Sequence, residues 1–252
     1  MLVLLLYFLS GATALVYEVV WSRMLMHVFG STAVALGTVL AAFMAGMAVG
    51  SWLIGKAADK STNCLRLYAF LEIGLGLAAL GSHILLSHIG PVHLLLHDIF
   101  GFSPTVFGVV RFLLAFSLVM APTVLMGATL PVLARFLMNR RNKVGINLST
   151  LYATNTIGAV TGVLITGFYL IGTFGVHVPV YIAVIANILI GCIAWLVSLR
   201  MGDTALADPT SSSTTDTARA GSGASVDPLI TRVILVALGI SGFTSFAYEI
   251  YW

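Results

Sequence analysis

Residues 9–21, LSGATALVYEVVW, return at 240–252 as ISGFTSFAYEIYW. Six of the thirteen positions are identical: Ser10/Ser241, Gly11/Gly242, Thr13/Thr244, Tyr17/Tyr248, Glu18/Glu249 and Trp21/Trp252. Apolar helices resemble one another by chance, but chance does not keep Ser-Gly, Tyr-Glu and Trp in register. The second stretch therefore reads as the first helix of a repeated module.

What surrounds the repeat sets the solvent. Hydrophobic residues make up 59% of the 252-residue chain and charged residues 8%, against about 25% charged in an ordinary soluble domain. With a mean hydropathy of +1.05, most side chains must face lipid, which makes the chain an all-α integral membrane protein. Apolar runs of the roughly 20 residues needed to cross a bilayer lie at 2–29, 31–54, 65–86, 106–134, 149–173, 176–199 and 229–252. They amount to six spans plus one that restarts the pattern. The first has no basic segment ahead of it, so it reads as a retained helix and not as a cleaved signal peptide.

Ten of the twelve Lys and Arg residues fall in alternate loops: Lys56, Lys60 and Arg66; Arg135, Arg140, Arg141 and Lys143; Arg200, Arg219 and Arg232. Cytoplasmic loops retain basic residues, so the amino terminus is expected inside, in a bacterial-type inner or plasma membrane. The same spacing accounts for the pI near 9.0 as an orientation signal and leaves no case for nucleic acid. The stretch 201–228, with ADPTSSSTTDTARAGSGAS at its centre, lacks apolar periodicity and reads as a flexible cytoplasmic linker. The expected organisation is a six-helix transmembrane module (1–200), this linker, and the first helix of a second module (229–252). Two six-helix halves joined by a linker are the plan of a transporter of the major facilitator type.

A loop motif of that superfamily, Gly-x-x-x-Asp-Arg/Lys, is partly matched by Gly55, Asp59 and Lys60, with Arg66 as the later cation. Such residues latch one conformation, and a solvated ion pair of little energetic worth is the plainer reading. Two further stretches, APTVLMGATLPVL (121–133) and LYATNTIGAVTGVLITGFYLI (151–171), together with the repeated Ser-Gly-x-Thr-x-x-x-Tyr-Glu-x-x-Trp, resemble the membrane domain of spermidine synthase-like proteins. In that family a transporter-like helical region precedes a soluble aminopropyltransferase domain. The resemblance implies a membrane module that binds or passes a polyamine or related small cation to such a domain, itself not among these residues. The chain carries no strand-alternating region or glycine-rich strand-to-helix loop for one, and hence no cofactor or catalytic residue is expected in it. Half of a plain secondary transporter, or an anchor without transport, are the other readings, and the expected partners are the bilayer and a second half or subunit.

Carboxylates inside spans are costly and mark function or buried partners. Glu18 and Arg111 fall at matched depth and form a candidate cavity pair with Glu249 of the repeat; a static buried pair that fixes packing is the alternative. Glu72 has no evident partner at its depth, and a bond to a backbone group or hydroxyl is expected. Asn155 needs a partner in hydrocarbon, an inter-helix bond before a substrate contact. Gly46-x-x-x-Gly50 and Gly158-x-x-x-Gly162 predict close helix contacts. Pro122 and Pro131 are expected to interrupt the fourth span, with Thr123 and Thr129 compensating locally. The segment 83–98 carries His83, His88, His93, His97 and Asp98, and His93 and His97 stand one helical turn apart, a spacing that can chelate a metal; PVHLLLHDIF (91–100) also reads as an amphipathic interfacial helix with its histidines on the wet face, and no metal site is expected. Cys64 and Cys192 lack metal or disulfide spacing and read as packing residues.

Overall fold

The computed structural model describes residues 1–29, 32–61, 63–88, 104–138, 144–200 and 228–251. Among these every regular element is helical and no strand occurs. The chain divides into two compact units, Met1–Asp203 and Thr204–Trp252. The first contains α1 (Leu2–Phe29), α2 (Thr32–Lys60), α3 (Cys64–Ser87), α4 (Pro104–Met138), α5 (Val144–Ile165) and α6 (His177–Arg200). A π-helical turn, Thr166–Leu170, and a last α turn, Ile171–Phe174, extend α5 until Gly175 turns the chain at φ 75°. The second unit contains α7 (Pro228–Tyr251). Among the described residues six helices, all in the first unit, are long and apolar enough to cross a membrane, and Leu77, Leu113, Ile157, Leu164, Ile185 and Leu196 point outward as a lipid-exposed apolar surface.

Close backbone contact decides how the six pack. A Cβ added at Gly158 falls on the carbonyl oxygen of Phe8, and one at Gly162 on that of Ala12. Gly11 lies in the same way against Asn155. Positions 8 and 12 thus run alongside 158 and 162, so α1 and α5 are parallel. In the second seam Gly46 meets Thr123, Gly50 meets the Val124 carbonyl, and Gly127 of α4 meets Met47 of α2. Both small-residue pairs therefore mark seams, as their spacing predicts, because removal of the Cβ lets backbones approach and van der Waals contact replace the hydrophobic drive that lipid does not supply. Helices α3 and α6 pack antiparallel, with Gly76 against Val184 and Gly191 against Ala69 and Ile73.

The principal helix contacts are α1 with α5, α2 with α4, α3 with α6, α3 with α4, α1 with α6, α1 with α2 and α4 with α5. Exchanging the first three helices with the second three, α1 for α4, α2 for α5 and α3 for α6, returns the same set. An odd number of helices per unit means that the second three run opposite to the first. The six-helix unit is thus paired as two inverted three-helix units.

Two expectations about these helices are corrected. The segment Gly55–Lys60 is the end of α2 and not a loop, and the link to α3 comprises only residues 61–63. There Asn63 caps α3, its Oδ1 accepting the Arg66 N–H at 3.0 Å, which satisfies one of the free donors of the first turn. The fourth helix is not interrupted, since α4 runs unbroken through both prolines. Each proline removes the donor for the carbonyl four residues earlier, at Leu118 and Gly127, and a serine from a neighbouring helix replaces it. Ser82 of α3 donates to the Leu118 oxygen at 2.6 Å and Ser51 of α2 to the Gly127 oxygen at 2.7 Å. Thr123 also bonds back to the Val119 and Met120 carbonyls, and Thr129 to that of Met126.

Each serine bond is expected to contribute about 0.6 kcal/mol, the average found for side-chain hydrogen bonds between membrane helices. Ser82→Ala and Ser51→Ala should each lower stability in detergent by about that amount, and the double variant by the sum, since the sites are separate. A loss in neither variant would mean that the carbonyls freed by the prolines need no partner.

Candidate functional site

The interior of the six-helix unit is two apolar clusters with a polar layer between them. One cluster holds Tyr17, Trp21, Leu25, Phe43, Leu75, Val119 and Val184. The other holds Leu6, Tyr7, Leu65, Tyr68, Leu133, Leu151 and Ile190. Along α1, α3 and α6 the residues between the two sets are Ser10 and Thr13, Glu72, and Asn187, all buried.

Glu72 is the centre of that layer and is fully shielded from solvent. Ser10 Oγ donates to its Oε1 at 2.6 Å, and Asn187 Nδ2 donates to Oε2 at 2.7 Å. The Asn187 amide is oriented in turn by the Tyr17 hydroxyl, which donates to Oδ1 at 3.2 Å. Thr13 Oγ1 donates to the Ser10 carbonyl at 2.9 Å. The Tyr68 hydroxyl is buried beside Glu72 and Ser10 without reaching bonding geometry. Every group bonded to the carboxyl is neutral. An acid whose partners among the described residues are polar and neutral is an acceptor centre, able to orient the helices that carry its donors and to balance a mobile positive charge.

The repeated motif explains much of this layer. Ser10, Thr13 and Tyr17 belong to the network, Gly11 to the α1–α5 seam, and Trp21 stacks on Tyr17 with ring centres 5.3 Å apart. Five of the six repeated identities thus do interior work in α1. The sixth, Glu18, is half-buried and has a partner of its own.

Among the described residues the other sequence candidates are not gathered into one place. Asn155 is half-buried and lies against Gly11 of α1. The side chains of Arg111, Glu249, Asp59 and Lys60 lie outside the described residues, as do His93, His97 and Asp98. Gly55 sits on α2 near Pro131. Arg66 is exposed on the first turn of α3, its guanidinium 6.0 Å over the Phe70 ring and 5.9 Å over that of Trp195. Lys56 similarly lies 4.5 Å over Trp52. Glu72 meets a hydroxyl as expected, that of Ser10, and takes a second bond from Asn187. Its only sequence signal was that a carboxyl in a span must be partnered; the partners stand 62 and 115 positions away. Neither cysteine is in a disulfide; Cys64 is buried and Cys192 exposed. Among the described residues no three His, Cys, Asp or Glu side chains converge to hold a metal.

No family model, curated protein or solved structure matches the chain.

Proposed function

We propose that the chain is one half of a facilitator-type transport module, of the kind joined to aminopropyltransferase domains in spermidine synthase-like proteins, and that the module handles a polyamine or related small cation. The observation that carries this reading is the helix pairing. Two inverted three-helix units within a half, followed by a motif that repeats the first helix, are the internal symmetry on which alternating-access transporters are built. A cation as cargo follows from the acidic residues. Glu18 recurs as Glu249, so two such halves would each bring one carboxylate on their first helix, and an intramembrane carboxylate is retained at a cost only where it is used.

Orientation belongs to the same reading. Lys56, Arg66, Arg135 and Arg200 stand on the helix ends that share a side with Met1, while Arg23 is at the other end of α1. The excess of cations supports a cytoplasmic amino terminus.

The protein expressed from its own gene and reconstituted in liposomes is expected to bind radiolabelled spermidine saturably, with competition from putrescine and none from a neutral sugar. Glu18→Gln should weaken that binding at least tenfold, the loss of one close counter-charge (about 1.4 kcal/mol). Absence of saturable binding by either polyamine would overturn the cargo. Unchanged affinity in Glu18→Gln would remove Glu18 from the site.

A further inference from the structure

At the end of the unit opposite Met1, two histidines from different helices meet. His83 lies in the last part of α3 and is 1% exposed; His177 begins α6 and is exposed. Their facing ring nitrogens, Nε2 of His83 and Nδ1 of His177, are 3.1 Å apart. The ring centres are 5.1 Å apart with the planes at 73°. Tyr181, one turn after His177, closes the other side of the buried ring, edge-on at 5.4 Å. Nδ1 of His83 is buried with no partner.

We propose that His83 and His177 are the protein ligands of a divalent transition-metal site, with zinc as the best fit and water in the remaining positions. Two nitrogens bound at 2.0–2.1 Å to one tetrahedral zinc stand about 3.3 Å apart, within a few tenths of an ångström of the separation between these rings. Imidazole pairs select zinc, copper, nickel or cobalt over magnesium and calcium, which take oxygen. The proton count closes without a co-reactant. In the metal-free pair one ring donates its N–H to the lone pair of the other. On binding, His83 carries its proton on Nδ1 and His177 on Nε2, both facing lone pairs go to the metal, and no proton is released. Among the described residues no third His, Cys, Asp or Glu side chain joins the pair. Affinity is consequently that of a two-imidazole chelate, and exposed His177 gives entry from water. The ion would tie α3 to α6, the helices that also carry Glu72 and Asn187.

The site is independent of the cargo proposed above and is tested without transport. Untagged protein in lipid nanodiscs is titrated at neutral pH with Zn²⁺, followed by thermal unfolding, and with Co²⁺, followed by visible absorption. The expected result is a saturable rise in Tm reversed by chelator and a saturable Co²⁺ spectrum. Both affinities should fall at least tenfold in His177→Ala, an exposed change that spares the core, and in His83→Gln, while His88→Ala leaves them unaltered. A response equal in His177→Ala and the parent protein would assign the metal to other groups and overturn the site. No saturable response would reduce the pair to a shared proton.

Discussion

Replacing Glu72 with alanine is expected to lower the stability of the folded protein by about 3 kcal/mol. The change opens a cavity between two packed clusters and leaves the Asn187 amide and the Ser10 hydroxyl without their acceptor in a place water does not reach. Hydrogen bonds between membrane helices alone average less than 1 kcal/mol, because the helices of the unfolded state find other partners in the bilayer. Most of the loss is therefore the cavity and the stranded donors. Glu72→Gln separates the two causes. Its volume is the same, its oxygen accepts from Asn187, and its amide can donate to the Ser10 hydroxyl, which can act as donor or acceptor. That variant should stay within about 1 kcal/mol of the parent by the hydrogen-bond scale. The measurement is reversible unfolding in mixed micelles, with Asn187→Ala alone and combined with Glu72→Ala to complete a cycle. Strict additivity in that cycle would mean that the two side chains do not stabilise one another.

The second large effect is expected at the helix seams. A Cβ at Gly158 falls on the Phe8 carbonyl, and one at Gly127 on Met47. No side-chain rotation relieves either contact, because the obstacle is the partner's backbone. Gly158→Ala and Gly127→Ala should each cost about 1–3 kcal/mol as overpacking. Leucine at either position should abolish folded protein in the membrane, since the helices would have to separate along the whole seam. Gly81→Ala is the control. Its Cβ meets nothing within 4 Å, so it should be neutral or raise stability by up to about 1 kcal/mol through helix propensity. If Gly158→Ala behaves like Gly81→Ala, α1 and α5 do not meet as described.

Both variants probe features with very different legibility. The seams were half visible: glycines four apart mark a face that approaches another backbone, and Gly46, Gly50, Gly158 and Gly162 all do so. Which helix they approach was not visible. Gly127 and Gly11, the reciprocal partners, sit in no such spacing. The Glu72 layer was less visible still, because serine and threonine in a membrane helix commonly bond their own backbone, as Thr156 and Thr161 do here. Nothing local separates those from Ser10. For α4, the expectation of a break came from counting what proline removes, while the structure adds what Ser82 and Ser51 return.

The sequence alone determined the solvent, the helical state and the length of each span. Hydrocarbon offers no hydrogen bonds, so a chain with few charges and repeated apolar runs of about twenty residues must close its backbone bonds within each run, as helices. It also announced a repeat, through polar identities that apolar drift does not preserve. The tertiary structure decided how each helix is turned about its own axis and which helices touch. In water those choices are written as an apolar stripe on a polar cylinder, but these helices are apolar all round, because lipid and protein interior are alike to Leu and Val. Rotation is then set by small residues that allow contact and by a few polar groups that require partners. Glu72, Asn187 and Ser10 come from helices far apart in the chain, and only the packed bundle brings them together.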